Sequence, residues 1–247
     1  MVSRLRCFIG GILFCFFTSS FALHATENDD LVKAMMEVYA EELAANPQDY
    51  RTYYSRAMAY FGQGDMKKAL SDIDNAIKYF PRKEKDDLAQ AYLLRAKILS
   101  ERGETKSALT DLNSALRLVP NHRLALKDRG DLLCQLGQYD MAKIDYNHLL
   151  RMDTRSQSAF MGLARVEAHT GQPVRAKDLL AQAVNLSPKD PKIYLERSEI
   201  YKEMDMMPEA VDDLVYAVSL DDGHSGAIQK LVAYSLSLIH ISEPTRL

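Results

Sequence analysis

The chain has 247 residues, 47% hydrophobic and 26% charged, with a formal net charge of −3 at neutral pH. That balance is ordinary for a folded globular protein and excludes collagen-like or disordered chains. It also lacks the basic excess that nucleic-acid binders carry.

Residues 1–25 open with Arg4 and Arg6, continue through an apolar run from Cys7 to Phe17, and close on small and polar residues. This order predicts a secretory signal peptide cleaved after Ala22 or after Ala25. The apolar run is well short of the ~20 residues that a spanning helix needs. Membrane attachment is therefore expected only if the leader stays uncleaved. Phe14 stands where a lipoprotein signal carries a small residue ahead of its cysteine, which argues against lipidation at Cys15. Export to a periplasm or to the medium follows. Of the 3 cysteines only Cys134 lies outside the leader, so no internal disulfide is expected and stability must come from packing.

Residues 26–49, with "LVKAMMEVYAEELAANP", predict a capping helix or a degenerate half-repeat. Then "GQGDMKKALSDIDNAIKYFP" places Ala69 and Ala76 on one helical stripe and ends on Pro81. The pattern recurs with Ala108, Ala115 and Pro120, and with Ala142 followed by Leu149 and Thr154. It returns with Ala176, Ala183 and Pro188, and finally with Ala210, Ala217 and Asp222. After one longer interval that absorbs the charged loop "PRKEKDD", the spacing is 34 residues, the period of a helix–turn–helix solenoid. Upstream of each alanine a second pattern pairs a large residue with a small one four places on: Tyr53 with Ala57, Tyr92 with Ala96, Leu126 with Gly130, Phe160 with Ala164, Tyr194 with Ser198. Residues four apart share a helix face, so each pair makes a knob beside a notch for a neighbouring helix. Gly64, Gly103, Gly137 and Gly171 are expected to end first helices in the left-handed conformation, with Asp205 in that place in the last unit. Pro173 and Pro208 suit the first turn of a helix, and Asp190 reads as a cap ahead of Pro191.

These residues resemble the tetratricopeptide repeat family over five units: 50–83, 89–122, 123–156, 157–190 and 191–224. The pattern departs from the family at Leu149, Thr154, Asp205 and Asp222. The resemblance implies an all-α solenoid of stacked antiparallel helix pairs, a superhelix with a concave groove that binds peptides or protein surfaces. Residues 225–235 begin a further helix. The last stretch, "LSLIHISEPTR", resembles a translated frame of a sequencing-library transposase adapter. Residues 236–247 are therefore set apart, and the natural chain is expected to continue past Ser235, with an exposed apolar flank where the last unit is cut.

A coupled charge pattern runs through the repeats. Arg56, Arg95, Arg129 and Arg197 precede the small residue of their first helices, and Asp72, Asp111, Asp145 and Asp213 stand sixteen residues later. In the fourth unit both positions change together, to Leu163 and Leu179. This predicts an ion pair between the two helices of a unit, with arginine chosen for its forked donors. The competing reading is that the arginines bind acidic ligands.

The family's groove is built by first-helix positions facing away from the partner helix. Mapped here, the resemblance implies Arg51, Tyr54, Met58 and Phe61 in the first unit and Leu93 and Lys97 in the second. Lys127 and Asp131 follow in the third, Met161 and Arg165 in the fourth, and Lys192, Glu199 and Lys202 in the fifth. Tyr54, Met58 and Phe61 equally suit packing against the N-terminal helix. Family members that clamp chaperone C-termini use lysine and asparagine, a pattern that Lys127 with Asp131 breaks.

Catalytic signals are weak. His122, His148, His169 and His224 fall in separate units without metal-ligand spacing, and Cys134 has no local histidine. No phosphate loop or nucleophile elbow occurs. The expectation is a non-enzymatic exported scaffold, without metal or small-molecule cofactor, that binds a protein or peptide in envelope assembly or secretion. The alternative is the recognition module of a longer protein whose catalytic or membrane domain lies beyond Ser235.

Overall fold

The computed structural model describes the backbone of residues 25–242 and the side chains of residues 31–235. The predicted leader, apart from its last residue, lies outside the described residues, as do residues 243–247. Twelve α-helices and no strand occur among the described residues. The chain divides into two compact units, one up to Tyr79 and one from Phe80 onward. No described helix is long and apolar enough to cross a membrane.

The first unit holds α1 (Ala25–Ala45), α2 (Tyr50–Gly62) and α3 (Met66–Tyr79). Asp49 caps α2 by accepting from the Arg51 amide at 3.1 Å, satisfying a donor that the first turn leaves open. The α2–α3 pair closes on Ala57, Ala69, Ile73 and Ala76, all fully buried. Thr52 donates to Glu42 at 2.9 Å and so ties α1 to the pair.

The second unit holds α4 (Lys85–Glu101), α5 (Thr105–Leu118), α6 (Arg123–Gln135), α7 (Tyr139–Met152), α8 (Gln157–His169), α9 (Pro173–Leu186), α10 (Pro191–Glu203), α11 (Met207–Leu220) and α12 (Ser225–Ser242). Consecutive helices pair α4 with α5, α6 with α7, α8 with α9 and α10 with α11, and the last hairpin is followed by α12 on α11. The first helices also touch one another, α6 against α8 and α8 against α10. That row of first helices is what builds a common face. The α12 helix runs through Ser235 into the adapter-like residues.

The small residues explain the close pairing. Ala108, Ala115, Ala142, Ala176, Ala183, Ala210 and Ala217 are fully buried, as are Ala164 and Ser198 on the first helices. A larger side chain at such seams overpacks them, at a cost of about 1–3 kcal/mol. Leu149, where the alanine pattern lapses, is also buried. The turns between paired helices carry the left-handed residue: Gly64, Gly103, Gly137 and Gly171 have φ between 70° and 77°, and Asp205 has φ 57°. Val119, ahead of Pro120, is extended at φ −132°, ψ 86°, because the proline ring excludes the helical region for its predecessor. The helix α9 begins at Pro173, and Asp190 accepts from the Lys192 amide to cap α10.

The coupled charges meet. In Arg56–Asp72, Arg95–Asp111 and Arg129–Asp145, Nε donates to Oδ2 at 2.6–2.8 Å and Nη2 donates to Oδ1 at 2.6–2.8 Å. Arg197 and Asp213 repeat the same fork. The four aspartates are buried, so each carboxylate is compensated by two charge-assisted bonds. Leu163 is buried and Leu179 half-buried in the fourth hairpin.

Two ionic links were not foreseen. Glu167 is 3% exposed, where the other first helices carry Tyr60, Leu99, Leu133 and Tyr201. Its carboxylate accepts from Lys143 of the preceding hairpin at 2.7 Å, with Arg175 at 3.5 Å. Glu199 on α10 accepts from Lys230 and Tyr234 of α12 at 2.5 and 2.7 Å.

Candidate ligand-binding cleft

The row α6, α8, α10 presents a cleft of about 600 Å³. Its floor and walls come from Lys127 and Asp131 on α6, Met161, Gly162 and Arg165 on α8, and Glu196 and Ile200 on α10. Asp153, Arg155 and Ser156 of the loop between α7 and α8, with Gln157 and Ser158 of the first turn of α8, complete the lining.

The charges are arranged in fixed pairs. Lys127 Nζ donates to Asp131 Oδ2 at 2.7 Å. Arg165 Nε donates to Glu203 Oε2 at 3.2 Å, and His169 Nε2 lies 3.2 Å from the same oxygen. The His169 ring stacks on Tyr139 at 5.3 Å. Burial lowers the Lys127 ammonium, but attraction and a hydrogen bond from Asp131 outweigh it and leave the group above its ordinary value. Burial likewise opposes Arg165, and Glu203 with Asp131 reverses the sign.

Two carboxyls are held less well. Enclosure pushes Glu196 up, against the pull of Lys127 and Arg165. It also pushes Asp128 up, against Lys97 and Lys127, and Asp128 Oδ2 is buried without a hydrogen-bond partner. Such an oxygen is costly unless a donor reaches it.

Behind Asp131 lies Tyr146, a fully buried residue of α7. Its hydroxyl donates to Asp131 Oδ1 at 2.7 Å and lies 3.8 Å from Cys134 Sγ. The ring crosses between two helical glycines. A Cβ at Gly130 would meet it at 2.8 Å, and one at Gly162 at 2.2 Å. Burial drives the phenol well above its usual range and raises the Cys134 thiol, so both stay protonated.

Of the groove positions mapped from the sequence, the structure brings Lys127, Asp131, Met161 and Arg165 together in this cleft. Lys97 is exposed on α4 and Lys192 is exposed at the start of α10. Leu93 is 3% exposed and packs in the hydrophobic core, as does Met161 at the equivalent place on α8, 5% exposed. Glu199 and Lys202 lie beside α12. Lys230 and Tyr234 occupy Glu199, and Lys202 Nζ lies 4.7 Å from the Tyr234 ring centroid. In the first unit Arg51 is exposed beside Tyr50 at 5.4 Å, Tyr54 and Phe61 are half-buried, and Met58 is 47% exposed.

Sequence reasoning missed Tyr146, Gly162, Glu196 and Ile200. A signal existed for the first two. Gly162 sits inside a helix, where glycine costs about 1 kcal/mol and so points to a packing demand. Tyr146 stands where the other hairpins place Ile73, Leu112, Leu180 and Leu214. No such signal marks Glu196.

The histidines act as local linkers. His122 Nδ1 accepts from the Ala125 amide at 3.2 Å and His224 Nδ1 from the Ala227 amide at 3.2 Å. His148 pairs with Asn121 at 2.9 Å. Among the described residues no three His, Cys, Asp or Glu side chains gather in a metal-binding group.

Comparison with known proteins adds the family. The chain matches the family model for the tetratricopeptide repeat over residues 54–123 and 127–191. No curated protein matches it by sequence. A solved tetratricopeptide repeat protein from Parabacteroides merdae is 25% identical with a TM-score of 0.72, covering 86% of this chain and 82% of that one. YrrB, described as having an unusual peptide-binding site, is 17% identical with a TM-score of 0.52, over 78% of this chain and 96% of its own. TTC0263 of Thermus thermophilus is 17% identical with a TM-score of 0.63, over 76% and 99%. The likeness to these last two shows the fold alone.

Proposed function

The chain belongs to the tetratricopeptide repeat family, and on that footing we propose that it is a non-catalytic scaffold whose α6–α8–α10 cleft holds an extended segment of a partner protein. One observation carries the reading: the row of first helices offers a cleft of about 600 Å³ framed by the Lys127–Asp131 pair and by Arg165, which Glu203 holds in position. A site with few mobile side chains loses little entropy on binding. That YrrB is described as having a peptide-binding site supports the same use of the fold.

The arginine-then-apolar leader supports export. We accordingly place the scaffold in a periplasm or outside the cell, with a partner in envelope assembly or secretion. The same cleft would serve equally as the recognition module of a longer protein, and reading the gene beyond Ser235 separates the two.

The test is affinity capture with the full chain and with Ser158→Trp, which fills the cleft from its rim. The partner should be retained by the first and lost by the second, with thermal stability of the two alike. Equal retention by both overturns the assignment of the cleft.

A further inference from the structure

The first helices carry a ring at their large-residue position in four units: Tyr53, Tyr92, Phe160 and Tyr194. The third unit carries Leu126, 2% exposed. Beside it, where α5, α6 and α7 meet, lies a hollow of about 460 Å³ that shares no residue with the cleft. Leu126, Arg129, Pro120 and His148 are among its lining residues.

The other units show what that place holds. The Arg197 guanidinium lies 5.3 Å from the Tyr194 ring centroid, and the Tyr194 hydroxyl donates to the Pro188 carbonyl at 2.8 Å. Tyr216 meets the same ring edge-on at 4.6 Å. Two units earlier these three places are Arg129, Pro120 and His148, and all of them line the hollow. Tyr53 repeats the arrangement, with Arg56 at 5.8 Å and the Pro47 carbonyl at 3.4 Å, and Tyr92 lies 5.6 Å from Arg95. Arg129 has no ring against it, and the Pro120 carbonyl accepts no hydrogen bond, among the described residues.

The bonding of Arg129 favours a ring over an anion. Each of its three nitrogens already donates: Nε and Nη2 to Asp145, and Nη1 to Asn113 Oδ1 at 2.8 Å. A carboxylate or phosphate meets a guanidinium in its plane, through those N–H groups. What stays open is the face, which attracts the π-cloud of an aromatic ring. No carboxylate lines the hollow to hold the ammonium group of a free amino acid, so the ring that suits it belongs to a polypeptide.

We propose that this hollow receives a tyrosine side chain of a partner protein. Its ring lies over the face of Arg129 and its hydroxyl donates to the Pro120 carbonyl, as Tyr194 does with Arg197 and Pro188. The site is independent of the cleft.

The probe is N-acetyl-tyrosinamide, titrated into the isotopically labelled full chain and followed by amide NMR shifts. It should shift the Asn121, Leu126 and Arg129 amides saturably. N-acetyl-phenylalaninamide should bind about fivefold more weakly, the scale of one neutral hydrogen bond. Leu126→Tyr supplies the ring from the chain itself, so it should abolish these shifts and leave the melting temperature equal or higher. Equal affinity for the two amides, or undiminished shifts in Leu126→Tyr, overturns the inference. So does a Leu126→Tyr chain that melts below the wild type, because the hollow then refuses the ring that other units accept. Acetate that shifts the same amides where N-acetyl-tyrosinamide does not overturns it too, and assigns the hollow to an anion held by Arg117, the exposed arginine of its lining.

Discussion

Arg95 and Asp111, sixteen residues apart and on different helices, meet in a two-pronged ion pair with Nε–Oδ2 and Nη2–Oδ1 both at 2.7 Å. The aspartate is 3% exposed, so it depends on the arginine for compensation. Arg95→Met should cost about 3 kcal/mol because it strands a buried charge. The double change Arg95→Met with Asp111→Leu, imitating Leu163 and Leu179, should cost less than the sum of the singles by at least ~1 kcal/mol. Urea denaturation of the four proteins measures the coupling, and additivity would refute it.

Gly162 is the tightest contact in the cleft wall. Gly162→Ala sets a methyl 2.2 Å from the Tyr146 ring, which is fully buried and has nowhere to retreat. The expected loss is about 1–3 kcal/mol. Adding Tyr146→Leu, the residue type at Leu112, Leu180 and Leu214, should restore much of it. A rescue failure would mean that the strain lies elsewhere.

The attachment of α12 should depend on pH through Glu199. Burial alone would raise this carboxyl, but hydrogen bonds from Lys230 and Tyr234 outweigh burial and hold it below the ordinary glutamate value. A carboxyl depressed in the folded state contributes stability above its unfolded value, about 4.3, and loses it as pH falls through the folded one. Amide exchange in α12 should therefore quicken between about pH 5 and pH 3 in the wild type. Glu199→Gln should start faster and respond less. A wild-type profile flat over that range would remove the link.

Asp205 is the one non-glycine with positive φ among the described residues, at 57°. Asp205→Gly should raise stability by about 1 kcal/mol by removing the Cβ penalty. Gly137→Ala, at φ 70°, should lower it by a similar amount. Melting temperatures of the two variants decide the matter, and shifts of the same sign would contradict the turn geometry.

Much of the fold was legible because its determinants are local and periodic. The alanine stripes fix where helices can approach, and the glycines and prolines fix where they must stop. The joint change at Leu163 and Leu179 singled out the arginine–aspartate partners, since two positions that alter together suggest touching. The cleft was legible only in part. Lys127, Asp131, Met161 and Arg165 follow from helical register, but register does not give exposure, since Leu93 and Met161 stand at equivalent places and both are buried. Glu167 shows the same limit. A glutamate among aromatic and aliphatic equivalents reads as a lapse in the pattern until Lys143, from another hairpin, is found against it.

The amino-acid order by itself determined the helices, their lengths, their turns and the pairing within each hairpin, since each depends on residues a few places apart or on a fixed sixteen-residue offset. Tertiary structure alone decided which side chains share a cleft. Tyr146 reaches Asp131 only because α6 and α8 come close enough at Gly130 and Gly162 to admit a ring. Glu199 leaves the open face only because α12 is seated beside it. Such meetings depend on the distance between helices, a quantity set by the summed packing of many side chains and written in no single repeat.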